Sequence, residues 1–149
     1  MLVLTRVDSR LIHGQVLEAW VPFLKVDRIA VADDVAATSP LTVSAMTLAL
    51  PPEVEATVTT VDGADLVALQ RGSARTLLLV RDVDSLKRLM QRGLKTSVNL
   101  GNVHAGPGRE AFTRSVFLNA DELESLRRLS AEGTQVQAQA VPSDAPLSV

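Results

Sequence analysis

Strand-like apolar runs alternate with helical stretches along nearly all of the 149 residues. This predicts an α/β protein, a single three-layer α/β/α domain around a mostly parallel sheet. Two further observations point the same way. Aromatic residues make up only 3% of a chain that is 46% hydrophobic, so the core must be built from Val, Leu, Ile and Ala. Its most apolar runs, such as Thr76 to Val80, show no polar alternation, as expected of strands covered on both faces. The length suits one domain, residues 1–149, with a core of its own.

The elements follow in order. Leu2 to Val7 reads as a strand ending at Asp8. Gly14 to Leu24 places Val16, Leu17, Trp20 and Leu24 at helical spacing, with Trp20 expected to be half-buried. Asp27 to Ala32 is a second strand, closed by Asp33 and Asp34. Ser39 and Pro40 form a helix start, serine as N-cap and proline in the first turn, and Pro51-Pro52 ends that helix near Leu50. Val54 to Thr60 alternates as a third strand, and Gly63 to Gln70 is a modest helix. Thr76 to Val80 is a strand. Asp82 to Arg92 is a helix with Val83, Leu86, Leu89 and Met90 on one face and Gly93 as its stop. Ser97 to Leu100 leads into the glycine-rich loop 101–108, and Val116 to Leu118 is extended. Asn119 to Glu132 is a helix with Leu123, Leu126 and Leu129 inside. Val136 to Val141 is a last strand before Pro142 to Val149, expected to be a loose tail.

Composition narrows the function. A net charge of -2 gives no electrostatic reason to expect nucleic acid or an anionic membrane surface. With no cysteine, disulfides, thiolate catalysis and zinc-thiolate sites are excluded. No apolar run approaches a membrane span or a signal peptide, so a cytoplasmic protein without membrane insertion is expected. There is no GxGxxG after the first strand and no P-loop motif, and no cofactor is expected. The two histidines and nearby acids fit no metal-ligand spacing.

Open α/β sheets bind ligands beyond the C-terminal ends of their strands. Both histidines, His13 and His104, fall in such segments. His13 precedes Gly14 at the start of the first predicted helix, where unpaired N–H groups carry partial positive charge. That field favours a neutral ring with a free lone pair, and would stabilise a phosphoryl group once the ring had taken one. Gly14 lets phosphate oxygens approach the backbone, and with Gln15 it forms the expected phosphate-binding pair. Arg10 offers a planar fork of donors to phosphate. Asp8 either holds Arg10 or bonds one imidazole nitrogen and so fixes its tautomer. Asp34 and His104 are possible lining residues. Asp33-Asp34 superficially suggests the acidic pocket of a receiver domain, but Thr59-Thr60-Val61-Asp62 does not supply the phospho-acceptor such a domain needs after its third strand. The ordinary alternatives are a surface histidine, an Asp8–Arg10 surface pair, and an acidic turn that is solvated or orients loop donors.

The stretch RVDSRLIHGQVLEAW, Arg6 to Trp20, resembles the signature RIDDRLIHGQV of the IIB components of the mannose/fructose/sorbose class of the bacterial sugar phosphotransferase system. RIAVADDVAAT (28–38), VNLGNVHAGPGR (98–109) and GTQVQAQAVPSD (133–144) are similar to further stretches of that family. The resemblance implies a three-layer α/β/α domain whose phosphorylated residue is His13, with Arg10 as phosphate partner and Asp8 as motif acid. It implies a phosphotransferase component. A IIA protein would donate phosphate from a phosphohistidine, and a sugar presented by IIC and IID membrane subunits would be the final acceptor. Those subunits would hold the chain at the membrane periphery. A regulatory phospho-acceptor module of the same fold, uncoupled from sugar transport, is the alternative. Two positions depart from the family pattern: Ser9 stands where a second acid is usual, and Asn102 where glycine is common.

Overall fold

The computed structural model describes residues 1–149. Its frame is a seven-stranded sheet in the order β3-β2-β4-β1-β5-β8-β9. The strands are β1 (Leu2–Asp8), β2 (Arg28–Ala32), β3 (Glu55–Thr59), β4 (Thr76–Val80), β5 (Val98–Asn102), β8 (Val136–Ala138) and β9 (Leu147–Ser148). All pair in parallel except β9, which runs antiparallel to β8. A separate antiparallel pair joins β6 (Glu110–Ala111) to β7 (Phe117–Leu118). β4 and β1 lie near the middle, and every residue of β4 is buried, as its unbroken aliphatic sequence requires.

Helices cover both faces. On one face, α4 (Leu66–Arg71), α5 (Val83–Gln91) and α6 (Ala120–Ala131) pack over Leu78, Val80, Val98 and Leu100. On the other, a π-helical turn (Val16–Trp20) continuing into α1 (Val21–Leu24) packs with α2 (Asp34–Ala37) and α3 (Pro40–Leu48) over Ile29, Val31, Leu77 and Leu79. Period-2 alternation along β4 thus feeds two aliphatic cores. Side chains cap the helices as the residue types dictate. Asp33, Ser39, Asp65 and Asp82 each accept an N–H of the first turn, and Asn119 with Glu122 completes a capping box.

Two expectations are corrected, and a third is narrowed. Pro142 to Val149 is not loose. Its Leu147–Ser148 segment pairs with β8, the Val149 N–H donates to Val136 O, and Ser130 Oγ donates to Val149 O. Trp20 is not half-buried but only 3% exposed. Its indole N–H donates to Ala140 O at 2.9 Å, satisfying its one polar atom. Of the two readings of the acidic turn after β2, a solvated turn and one that orients loop donors, the contacts fit the second: Asp33 is buried and caps α2, and Asp34 accepts the Val61 N–H.

Candidate functional site

The site forms where β1 and β5 end side by side. Arg6 and Asp8 are two residues apart on a strand, so both side chains leave the same face. Opposite them, Arg6 pairs with Asn99 and Val7 with Leu100, but Asp8 pairs with Asn102. Gly101 is the residue skipped, a bulge that brings Asn102 level with Asp8. A Cβ at Gly101 would fall 2.0 Å from Arg6 Cζ. Only glycine leaves room for the guanidinium there.

Arg6 is fully buried. Its Nε donates to Asp8 Oδ2 (3.1 Å), Nη1 to Asn99 Oδ1 (2.7 Å) and Gln139 O (3.2 Å), and Nη2 to Gln15 Oε1 (2.8 Å). Its Cζ lies 5.2 Å from the centre of the Trp20 ring system, a cation–π contact. Asp8, equally buried, is the hub. Its Oδ2 accepts from Arg6 Nε, from His13 Nε2 at 2.8 Å and from Asn102 Nδ2 at 3.0 Å, and its Oδ1 accepts the Arg10 N–H at 2.9 Å. Burial by itself raises the Asp8 pKa. The hydrogen bond from His13, the Arg6 charge, and the bonds from Asn102 and the Arg10 N–H outweigh it, and hold the carboxyl below its ordinary value. Burial lowers the Arg6 pKa, against the opposing pull of Asp8.

The ionised carboxylate only accepts, so the His13 nitrogen facing it carries the proton. The ring is held as the Nε2–H tautomer, and Nδ1 makes no hydrogen bond to protein. The side chain is 14% exposed, so it is anchored below and reachable from above. The His13 carbonyl accepts the Leu17 N–H, which starts the helix, while the N–H groups of Gly14, Gln15 and Val16 have no acceptor in the protein. A Cβ at Gly14 would meet nothing nearer than Glu18 Oε1 at 4.0 Å, so its surroundings are open. Gln15 Oε1 is engaged by Arg6 and Asn102, which leaves its Nε2 unpaired.

Backbone strain accompanies this arrangement. Leu11 adopts φ 56°, a left-handed conformation that costs a non-glycine residue about 1 kcal/mol or more. The turn is closed by the Leu11 N–H on Asp8 O, and the Leu11 side chain is buried against the aliphatic core with Ile12, Val16 and Trp20. Burial of a leucine, worth about 2 kcal/mol, offsets the strain.

The structure thus brings Asp8, His13, Gly14 and Gln15 together. Arg10 joins through its backbone, and its guanidinium is exposed and makes no hydrogen bond or ion pair with protein. The two lining residues fare differently. His104 approaches only through its backbone, its N–H donating to Ser9 Oγ at 3.1 Å, and its ring is exposed. Asp34 makes no bond to the His13 cluster: its carboxylate accepts from Arg88 and the Val61 N–H. The hydrogen bond from Arg88 lowers its pKa. The acid that reaches the site is its neighbour. Asp33 holds Arg81 with two bonds, and Arg81 donates to Ser9 O. The departures Ser9 and Asn102 both have partners. Asn102 bonds Asp8 and Gln15, and Ser9 ties the turn to the 101–108 loop.

Sequence reasoning missed Arg6, Asn99 and Gln139. A signal for Arg6 was present: a cation inside an apolar run, on the same strand parity as Asp8. For Asn99 and Gln139 the signal lay in pairing across strands distant in sequence.

Comparison with known proteins agrees with this fold. The family described as "PTS system sorbose subfamily IIB component" matches residues 2–149. The chain is 31% identical over 151 residues to the PTS system mannose-specific EIIAB component of Escherichia coli, covering 98% of this chain and 46% of that protein. The chain therefore spans about half the length of this relative. The PTS system fructose-specific EIIB component of Bacillus subtilis is 26% identical, with 97% of this chain and 90% of that one covered. Among solved structures, manxB from Thermoanaerobacter tengcongensis superposes with a TM-score of 0.88 at 31% identity, covering 99% of this chain and 92% of that one.

Proposed function

Because this chain belongs to the sorbose-subfamily IIB components of the phosphotransferase system, we propose that His13 is a phosphoryl carrier that takes its group on Nδ1. The observation that carries the reading is the fixed ring: Nε2 donates to an ionised, fully buried Asp8, and Nδ1 is left without a partner. The donor is a phosphohistidine on a IIA protein. The Nδ1 lone pair attacks phosphorus, the donor's P–N bond breaks, and its electron pair returns to the donor ring. His13 then carries phosphorus on Nδ1 and a proton on Nε2, so the ring bears positive charge. Asp8 stabilises that charge, as the buried acid of a catalytic triad does for its histidine. The N–H groups of Gly14, Gln15 and Val16, the Gln15 amide and the free Arg10 guanidinium offer donors to the phosphoryl oxygens. In the second step a sugar hydroxyl attacks phosphorus and gives up its proton to water. The P–Nδ1 bond breaks and the ring returns to the neutral Nε2–H tautomer. The sugar is presented by IIC and IID membrane subunits, and the chain works at the cytoplasmic membrane surface through them. No helix of its own is long and apolar enough to cross a membrane.

The test is phosphotransfer from a phosphorylated IIA partner. The protein should gain one acid-labile, base-stable phosphate, and His13→Ala should gain none while keeping its fold. Label persisting in that variant would overturn the assignment. His104→Ala should be phosphorylated normally, because its ring makes no bond in the site.

A further inference from the structure

From Val35 to Pro52 the chain runs for eighteen residues without a charge. All of them except Ala36 and Met46 are exposed or half-exposed. The stretch includes α3, whose outward face carries Leu41, 82% exposed, and Leu48, 87% exposed; Val35 nearby is 67% exposed. Single exposed leucines are ordinary. Here two lie seven residues apart on one helix face, with Ser44 and Ala45 between them. Met46 faces inward, so this helix buries an apolar side chain on one side and on the other presents leucines among uncharged small residues, Ser44, Ala45 and Thr47. Solvent favours a charged outer face on a surface helix, and this one has none.

The order along the face is bulky, small, small, bulky, and it reads the same from either end. A two-fold interface must be self-complementary. Two antiparallel copies of α3 with the axis passing between Ser44 and Ala45 set Leu41 against the partner's Leu48, and the same contact repeats across the axis. The small central residues allow the helices to approach to about 8 Å. The absence of charge matches the charge depletion found at the centres of protein interfaces. We infer that α3 is a homodimer interface, with two copies of this chain packed antiparallel through Leu41, Ser44, Ala45 and Leu48. Its extent sets its strength. At most the sixteen residues of the stretch that are not buried can contribute, short of the about 20–30 residues that each side of a standard interface supplies. The dimer is therefore weak and fills only as concentration rises. The inference is independent of the chemistry at His13.

Sedimentation equilibrium across about 1 μM to 1 mM should show a reversible monomer–dimer equilibrium. Leu48→Glu should weaken it by about tenfold or more, with unchanged circular dichroism and melting temperature because the side chain is exposed. Phe23→Glu should leave it unchanged, since Phe23 lies on α1 and is not part of the α3 face. The chain has no cysteine, so single cysteines report directly. Ala45→Cys should cross-link to a dimer on oxidation, and Phe23→Cys should not. A monomer throughout the range, a dimer untouched by Leu48→Glu, or cross-linking through position 23 instead of 45 would each overturn the inference.

Discussion

Replacing Asp8 by asparagine tests the carboxylate hub without changing its shape. Four donors converge on that carboxylate: Arg6 Nε, His13 Nε2, Asn102 Nδ2 and the Arg10 N–H. An amide offers one oxygen and brings an NH2 group of its own. If the oxygen takes the Oδ2 position, the NH2 faces the Arg10 N–H, and two donors meet. In the flipped orientation it faces Arg6, His13 and Asn102 together. Either way the buried Arg6 guanidinium loses its counter-charge. Removing one partner of a buried pair costs about 3–5 kcal/mol. Asn99, Gln139 O and Gln15 still solvate the cation, so the lower figure, about 3 kcal/mol, is expected. For a domain of this length that lowers the melting temperature by about 6–12 °C. The effect on chemistry is larger. The ring loses the acceptor that fixes its tautomer and, on the proposed role, would stabilise the charge of a phosphorylated form; an Asp→Asn change at such a position lowers turnover by up to about 10⁴-fold in a catalytic triad. Single-turnover labelling by phospho-IIA below the unfolding temperature, with urea melts on the same samples, measures both quantities. Labelling within about threefold of wild type would refute the argument that Asp8 organises the ring. So would a stability loss below about 0.5 kcal/mol.

Other outcomes follow from the same geometry. The Asp8 pKa is depressed on folding, so its contribution to stability is complete above the ordinary carboxylate value of 3.8 and disappears as pH falls through the lower folded value. Urea melts from pH 6 down to pH 2.5 should show a steeper loss for wild type than for Asp8→Asn, and parallel curves would contradict the depressed value. Gly101→Ala drives a methyl into the Arg6 guanidinium and should cost about 1–3 kcal/mol with loss of labelling. A variant that melts and labels like wild type would show that Arg6 is free to move. Arg10→Gln should leave the melting temperature unchanged, because the guanidinium has no protein partner, yet lower overall donor-to-sugar transfer by about tenfold or more. Asn102→Gly removes bonds to Asp8 and Gln15 and should cost about 1–2 kcal/mol in chemical denaturation.

Local patterns made most of the fold legible. Aliphatic runs marked β1, β2, β4 and β5, and Ser39, Asp82 and Asn119 marked helix starts by the chemistry of their side chains. The first helix was visible from its apolar spacing, but its π-helical turn was not. That turn, with the Val21 N–H reaching back to Val16 O, lies beside Pro22, which has no N–H to give. The tail was misread because two residues of strand at an edge leave no periodic trace, and their pairing with β8 depends on a chain reversal. At the site, the grouping of His13, Asp8 and Gly14 was legible because they lie within one short turn of the chain. The lower half of the site was not. Arg6, Asn99 and Gln139 meet only through the strand order β1-β5-β8 and the bulge at Gly101, which are long-range properties. Asp34 was overvalued for a similar reason: Arg88, which claims it, lies on α5 and is invisible to its sequence neighbourhood.

For the proposed carrier role, the left-handed Leu11 has a kinetic consequence. A hinge that must twist into an unfavourable backbone angle after encounter would slow each handover, whereas here the awkward angle is already locked in by a side chain sunk into the aliphatic layer. On the carrier role proposed above, the His13 ring would then meet successive partners in one fixed pose.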